Sequence, residues 1–399
     1  MNTRHPTLSI NSDNSLFGSA RSLFPHTRQG KIYLNHAGTS PLSTRVVNAM
    51  TEYLRERSEG RLETYQHDLP MVTECKSFIQ RIINAESADR IALTANTSDA
   101  INIVASGVSW KAGDRVLLNT AEFPANIWPY LNLRRLGMEI DFIQSPDGRV
   151  TLDMIERALT PHTRLLALSA VQFLSGYRAD LAALGDLCRQ RNIIFAVDAI
   201  QTVGAVRVDV QQMKIDALMA GGQKWQMSPH GTGFLYLTAE LQDRIQQASL
   251  GWLAVQDPWN FHDYGQPVAS TARRYEGGSS IMPSLWGMHA ALGTILDVGL
   301  DAIETQVLTL TGILIKGFHS IDGLSIVTPE KASERAGIVT ITLPKGQDER
   351  ELFKSLLSRN ITPALREGML RFSPHFYMTE EEMNIVTDAM REYLRQAQC

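Results

Sequence analysis

The chain has 399 residues, 44% hydrophobic and 20% charged, with a formal net charge of -4. That composition fits an ordinary globular protein long enough for two domains with their own cores, and the near-balanced charge argues against nucleic acid or a membrane surface as a partner. Three cysteines, Cys75, Cys188 and Cys399, stand far apart with no Cys-x-x-Cys pair, which argues against structural zinc and a disulfide scaffold and makes the reduced cytoplasm the expected compartment.

Residues 1–30 are polar, rich in Ser, Asn and Arg, and lack the apolar core of a signal peptide. They read as a weakly ordered arm. Ile32-Tyr33-Leu34 predicts a short strand running into the turn Asn35-His36-Ala37-Gly38, and 43–57 predicts an amphipathic helix. Strands at 90–94, 115–119, 139–143, 164–170 and 193–197 then alternate with helices at 98–108, 127–136, 151–159 and 181–191. That order predicts an α/β protein with a mainly parallel, doubly wound sheet, closed by strands at 216–220 and 233–237. After about residue 280 the rhythm changes to helices at 284–298 and 303–318, a strand at 337–343, a helix at 349–358, a strand at 363–372 and a last helix at 379–396. Thr379 with Glu382 is a capping box for that last helix. The expected division is an N-terminal arm, 1–40, contributing to the small domain, a large domain, 41–280, and a smaller α+β domain, 281–399. No apolar run is long enough to span a bilayer.

Phe195-Ala196-Val197-Asp198 is an apolar run ending in one carboxylate. Such a run reads as a buried parallel strand, and its carboxyl end is where open α/β sheets bind ligands. A carboxylate buried there costs on the order of several kcal/mol unless a cation meets it. Lys224 follows Ala220-Gly221-Gly222-Gln223, whose glycines let the backbone approach a bound group closely. A protonated pyridine ring is such a cation, and a lysine can hold that ring's aldehyde as a Schiff base. Asp198 and Lys224 therefore predict a pyridoxal 5'-phosphate site. The plainer readings are an N-cap aspartate and a surface lysine after a glycine turn.

Further residues fit the same chemistry. Thr97 and Ser98 stand where a strand passes into a helix, and a helix N-terminus is a natural phosphate seat; simple capping by Ser98 is the alternative. Phe123 can lie over a flat cofactor ring or belong to the core. Gln201 can bond the ring hydroxyl or be a surface residue. Arg371, inside an apolar strand, wants a carboxylate partner, either from the substrate or from an internal ion pair, with Arg366 as its neighbour and competitor. Tyr275-Glu276-Gly277-Gly278-Ser279-Ser280 is a phosphate cradle or a hinge. Asn35 and His36 either reach a substrate or are structural. The sequence holds no Gly-x-Gly-x-x-Gly, Walker loop, Gly-x-Ser-x-Gly or His-Glu-x-x-His, so no metal is expected.

This ordered set resembles the class V aminotransferase family of pyridoxal phosphate enzymes, which includes cysteine desulfurases, selenocysteine lyases, kynureninases and isopenicillin N epimerases. The resemblance runs from about Lys31 to the last helix and implies fold type I, with a seven-stranded-type sheet in the large domain. It implies that Lys224 is the Schiff-base lysine, Asp198 the pyridinium partner and Gln201 the residue near the ring hydroxyl. It places Thr97 and Ser98 in the phosphate loop and Gln223 where relatives carry a phosphate-binding histidine or tyrosine. Ser279 matches a hydroxyl that reaches the phosphate of the neighbouring subunit, implying a homodimer with shared active sites, and Arg371 matches the arginine for the substrate α-carboxylate.

Three departures shape the expected activity. Leu365-Arg366-Glu367-Gly368-Met369 has no cysteine where desulfurases form a persulfide. Phe123 stands where they place a histidine. The aromatic-rich segment 252–264 is expected to shape the substrate pocket. The expected function is chemistry at Cα of a small amino-acid-like substrate, epimerase-like or C–S lyase-like. An aminotransferase is the alternative. A non-catalytic pyridoxal-binding regulator or scaffold is a third reading, against which the 1–30 arm is too short and insufficiently basic to read DNA.

Overall fold

Short strands that are apolar at nearly every position are stable only when both faces of their sheet are covered. The computed structural model describes residues 16–61, 64–247 and 249–396. Strand β1 (Ile32–Tyr33) stands apart from the main sheet. Strands β2 (Ile91–Thr94), β3 (Arg115–Asn119), β4 (Glu139–Ile143), β5 (Thr163–Ser169), β6 (Ile194–Asp198), β7 (Ala217–Gly221) and β8 (Gly233–Leu237) form one seven-stranded sheet in the order β2-β8-β7-β6-β5-β3-β4. Neighbours are parallel except at β8, which runs antiparallel to β2 and β7. Every residue of β6, β7 and β8 is buried, as sheet faces sandwiched between helices require.

The expected strands are present with ends that agree within two residues, but three helical expectations change. The helix after β2 is Thr97–Gly107, and its N-cap is Asn96, whose side chain accepts the Asp99 N–H; Ser98 does not cap it. The region 127–136 is a short helix, Trp128–Leu131, tightening into a 3-10 turn, Asn132–Leu136, that stops at Gly137 with φ of 78°. No element was expected between 58 and 89, yet Thr64–Ile83 is a helix of 20 residues. Pro70 stands inside it, a residue that removes one helical N–H and reads locally as a breaker. Burial of Met71, Cys75, Ile79, Ile82 and Ile83 on one face outweighs that local cost.

Beyond the sheet come β9 (Ser325–Ile326), β10 (Val339–Thr342), β11 (Ile361–Thr362), β12 (Ala364–Arg366) and β13 (Met369–Phe372). All but β11 form an antiparallel sheet, ordered β12-β13-β10-β9, while β11 pairs in parallel with β1. The strand expected at 363–372 is thus a hairpin. Glu367 (φ 49°) and Gly368 (φ 72°) both adopt left-handed backbone and supply its two-residue turn.

Residues 1–15 of the expected arm lie outside the described residues. Residues 16–30 are packed rather than loose. Phe24 is fully buried and stacks on Tyr377 with ring centroids 3.8 Å apart, and Arg21 pairs with Glu382 at 2.7 Å. Glu382 is also the capping-box acceptor: Thr379 donates its N–H at 2.9 Å and receives that of Glu382 at 3.2 Å. Among the described residues no single helix is long and apolar enough to cross a membrane. Met282–Val298 and Leu300–His319 reach that length and composition only as a pair bent by 83°, and both bury core side chains such as Leu292, Ile295, Leu310 and Leu314.

Candidate active site

Asp198 ends β6 at the carboxyl edge of the sheet, 2% exposed, between its register partners Ser169 on β5 and Met219 on β7. The next strand, β7, ends at Gly221 and turns. Gly222 donates its N–H to Thr232 and accepts that of Ser228, each at 2.9 Å, which leaves Lys224 at the tip of the loop. The segment after β1 braces this loop from outside. The Ser40 N–H donates to the Gln223 carbonyl at 2.9 Å and its hydroxyl to the Lys224 carbonyl at 2.5 Å.

Removal from water shifts the two charged groups in opposite senses. Burial pushes the Asp198 carboxyl up to about 7, aided by the Glu122 charge and opposed by the Ile200 N–H, which it accepts at 3.0 Å, and by Lys224. Burial pushes the Lys224 amine down to about 8, against the pull of Asp198 and with the help of Arg371 and Arg366. A buried carboxyl and amine held this way are characteristic of chemical sites.

Around this pair the predicted residues fall into three groups. Thr97 opens its helix with a buried hydroxyl that has no hydrogen-bond partner. A Cβ on Gly221 would lie 2.9 Å from that Thr97 oxygen and 2.6 Å from Gln223 Oε1, so Thr97, Gln223 and the bare Gly221 converge at one spot, with Ser98 one residue further along the helix. Phe123 is 45% exposed; its ring centre lies 5.5 Å from Lys224 Nζ, and it meets Phe173 edge-on at 5.4 Å. Gln201 donates to the Ala37 carbonyl at 3.0 Å and accepts the Trp225 indole N–H at 2.8 Å, tying the Lys224 loop to the turn after β1.

Arg371, on β13, is 2% exposed. It donates to the Phe173 carbonyl at 2.6 Å, and a second guanidinium nitrogen lies 3.5 Å from Asn35 Oδ1. Its Nε is buried without a partner, and among the described residues it forms no ion pair. Burial pushes it down to about 10, with Arg366 adding repulsion.

His36 is fully buried, with one ring nitrogen on the Ser373 carbonyl at 2.8 Å and the other on the Tyr377 hydroxyl at 2.6 Å. Burial holds it well below the ordinary histidine range, and both ring nitrogens are engaged within the fold. Ser279, expected to reach the phosphate of a neighbouring subunit, lines a cleft of about 700 Å³ in its own chain with Thr94, Ala95, Asp99 and Asn102. In the aromatic segment Trp252, Trp259 and Phe261 touch one another, and Tyr264 is 91% exposed.

Sequence reasoning missed Glu122 and Gln172. Glu122 is buried and accepts from Asn119 at 2.7 Å, Asn126 at 3.2 Å, the Ser169 N–H at 2.7 Å, the Ser169 hydroxyl and Gln172 at 3.0 Å. Gln172 keeps a buried carbonyl oxygen without a partner. Asn119, Glu122 and Asn126 past the end of an apolar strand were the legible signal for this cluster. Cys75 and Cys188 are both buried, and desolvation pushes their thiols up, Cys188 to about 12. Neither is a ready nucleophile. Cys399 lies outside the described residues.

The sequence profile of class-V aminotransferases matches residues 32–386. The chain belongs to the class-V aminotransferase family. A probable cysteine desulfurase of Methanothermobacter thermautotrophicus is 28% identical, covering 90% of this chain and 94% of its own length. The isopenicillin N epimerase of Streptomyces clavuligerus is 27% identical over the same shares. The apo cysteine desulfurase of Thermococcus onnurineus NA1 superposes with a TM-score of 0.85 at 26% identity, covering 94% of this chain and 97% of that one. This member of the class-V aminotransferase family is therefore an enzyme of fold type I. Pyridoxal 5'-phosphate is the cofactor of such enzymes, and the residues present fit it. A buried carboxyl awaits a cation, a buried amine stands on a loop beside it, and an unpartnered buried hydroxyl opens a helix next to a glycine with no side chain.

Proposed function

We propose that this enzyme binds pyridoxal 5'-phosphate and acts at Cα of an amino acid or amino-acid-like compound. The observation that carries the reading is Arg371: a buried guanidinium with no carboxylate partner among the described residues, within electrostatic reach of the buried Lys224 amine. A substrate α-carboxylate offers the bidentate partner it lacks.

Lys224 supplies the amine that holds the cofactor aldehyde. Asp198 faces the ring nitrogen, and a cation there draws its carboxyl back to the ionised form. Thr97, Ser98, Gln223 and the free N–H groups of the Thr97–Gly107 helix hold the phosphate. Phe123 covers one side of the ring, and Gln201 fixes the Lys224 loop with one amide N–H left over for the ring hydroxyl. Pyridoxal phosphate, when bound, supplies an electron sink for charge developing at Cα. Lys224 is poised to take and return the Cα proton, because an amine near neutrality serves as both base and acid. Phe123 can cover a ring but cannot move a proton. Arg371 and Asn35 orient the carboxylate end.

Epimerase-like or C–S lyase-like chemistry is the favoured outcome. The stretch 365–369 lacks a persulfide-forming cysteine, and the described cysteines are buried, which speaks against a standard desulfurase. Amino transfer is the second reading. We also take the enzyme as a homodimer with shared sites, because Lys224 is not among the residues lining the cleft that holds Ser279. The domain limits at residues 40 and 280 belong to the same proposal. The test is a panel of amino acids with the loaded enzyme. Sulfide release, keto-acid formation, anthranilate release and loss of optical rotation each assign one reaction. An enzyme whose absorbance no amino acid changes does not act on amino acids.

A further inference from the structure

The β12–β13 hairpin carries two arginines on one face. In an antiparallel pair, opposed residues share a face, and every second residue along a strand returns to it. Arg371 is opposite Ala364, and Arg366, two residues past Ala364, is opposite Met369. Both guanidiniums therefore project from the same side of the ribbon, Arg371 from its buried end and Arg366 from the exposed residue before the turn. The two-residue turn at Glu367 and Gly368 fixes this register.

Neither arginine makes an ion pair among the described residues. Among the described residues Arg366 donates to the neighbouring Leu365 carbonyl, at 2.9 Å. Both charges are felt at the Lys224 amine, and Arg366 is felt at Arg371. Two like charges on one face of a hairpin repel. A site that held only an α-carboxylate needs one of them. We infer that the substrate carries a second anionic group, bound by Arg366 at the mouth of the site while Arg371 binds the α-carboxylate. The matching class is an amino acid with a distal carboxylate or sulfinate.

This rests on the amino-acid reading above, and the test separates the two. The loaded enzyme is titrated by absorbance with L-aspartate, L-glutamate and L-cysteine sulfinate, and with L-asparagine, L-glutamine and L-alanine. The acidic set is expected to bind about tenfold or more tighter than its amide isosteres, the worth of one charge-assisted contact. Arg366→Gln collapses that ratio to about one, Arg366→Lys restores part of it, and Arg371→Gln weakens both sets together. Circular dichroism of each variant reports folding. Equal binding of acids and amides by the parent enzyme, or a preference that survives Arg366→Gln, overturns the second anionic group and leaves the amino-acid reading intact. Absence of any absorbance change with either set overturns both.

Discussion

Ser169 donates both its backbone N–H, at 2.7 Å, and its hydroxyl to the Glu122 carboxylate, pinning the end of β5 to the loop after β3, directly beside Asp198. Asn119, Asn126 and Gln172 complete the shell. Removing that acceptor strands several buried donors at once. Glu122→Ala is expected to cost about 3–5 kcal/mol of stability, read from the urea midpoint, and Glu122→Gln should recover part of it. An alanine variant as stable as the parent would show that the shell does not hold the two strands.

Lys224→Ala should fold normally and fail to develop the visible imine absorbance when pyridoxal phosphate is added. Its carbonyl remains to accept from Ser40, so the loop keeps its brace. An unchanged imine band in the variant would move the cofactor attachment to another amine.

Asp198 gives a pH test in the cofactor-free protein. Burial raises its carboxyl from 3.8 to about 7. Between those values the folded protein keeps a proton that the unfolded chain releases. Its contribution to stability is therefore whole at low pH and is lost as pH rises through about 7. Asp198→Asn retains an oxygen for the Ile200 N–H and cannot titrate. The melting temperature of the parent minus that of the variant should fall from about pH 4 to pH 7 and then level off. A difference that is flat across this range would refute the raised carboxyl.

Arg371→Met tests whether the buried cation is kept for a ligand. Losing an unpaired buried charge should leave the ligand-free protein as stable or more stable, by about 1 kcal/mol, in a thermal melt. The same variant should lose affinity for α-carboxylate ligands far more than for pyridoxal phosphate. Equal loss of both, or marked destabilisation, would assign Arg371 a structural role.

Cys75 and Cys188 should resist alkylation by iodoacetamide while the protein is folded, because both thiols are buried and held far from ionisation. Rapid labelling of either under native conditions would reopen a persulfide role.

Much of the sheet was legible in the sequence, since strands buried on both faces announce themselves as short apolar runs; β3 and β8 lie where local pattern put them. The helix Thr64–Ile83 was not legible, because Pro70 breaks the local pattern and only packing against the core outweighs it. The 363–372 run was legible as strand but not as a hairpin, since its turn depends on Glu367 taking a left-handed backbone that its residue type disfavours.

The chain by itself determined the kind of chemistry: one carboxylate closing an apolar strand and one lysine behind two glycines. Only the tertiary structure decided how the polar residues around that pair are buried and partnered. It sealed His36 between Ser373 and Tyr377, gathered five donors around Glu122, left Arg371 buried without a counter-ion among the described residues and set Arg366 on the same face. The reason is that desolvation and charge pairing depend on what the fold brings near, from residues as far apart in the chain as Asn35 and Arg371, and no local pattern records that.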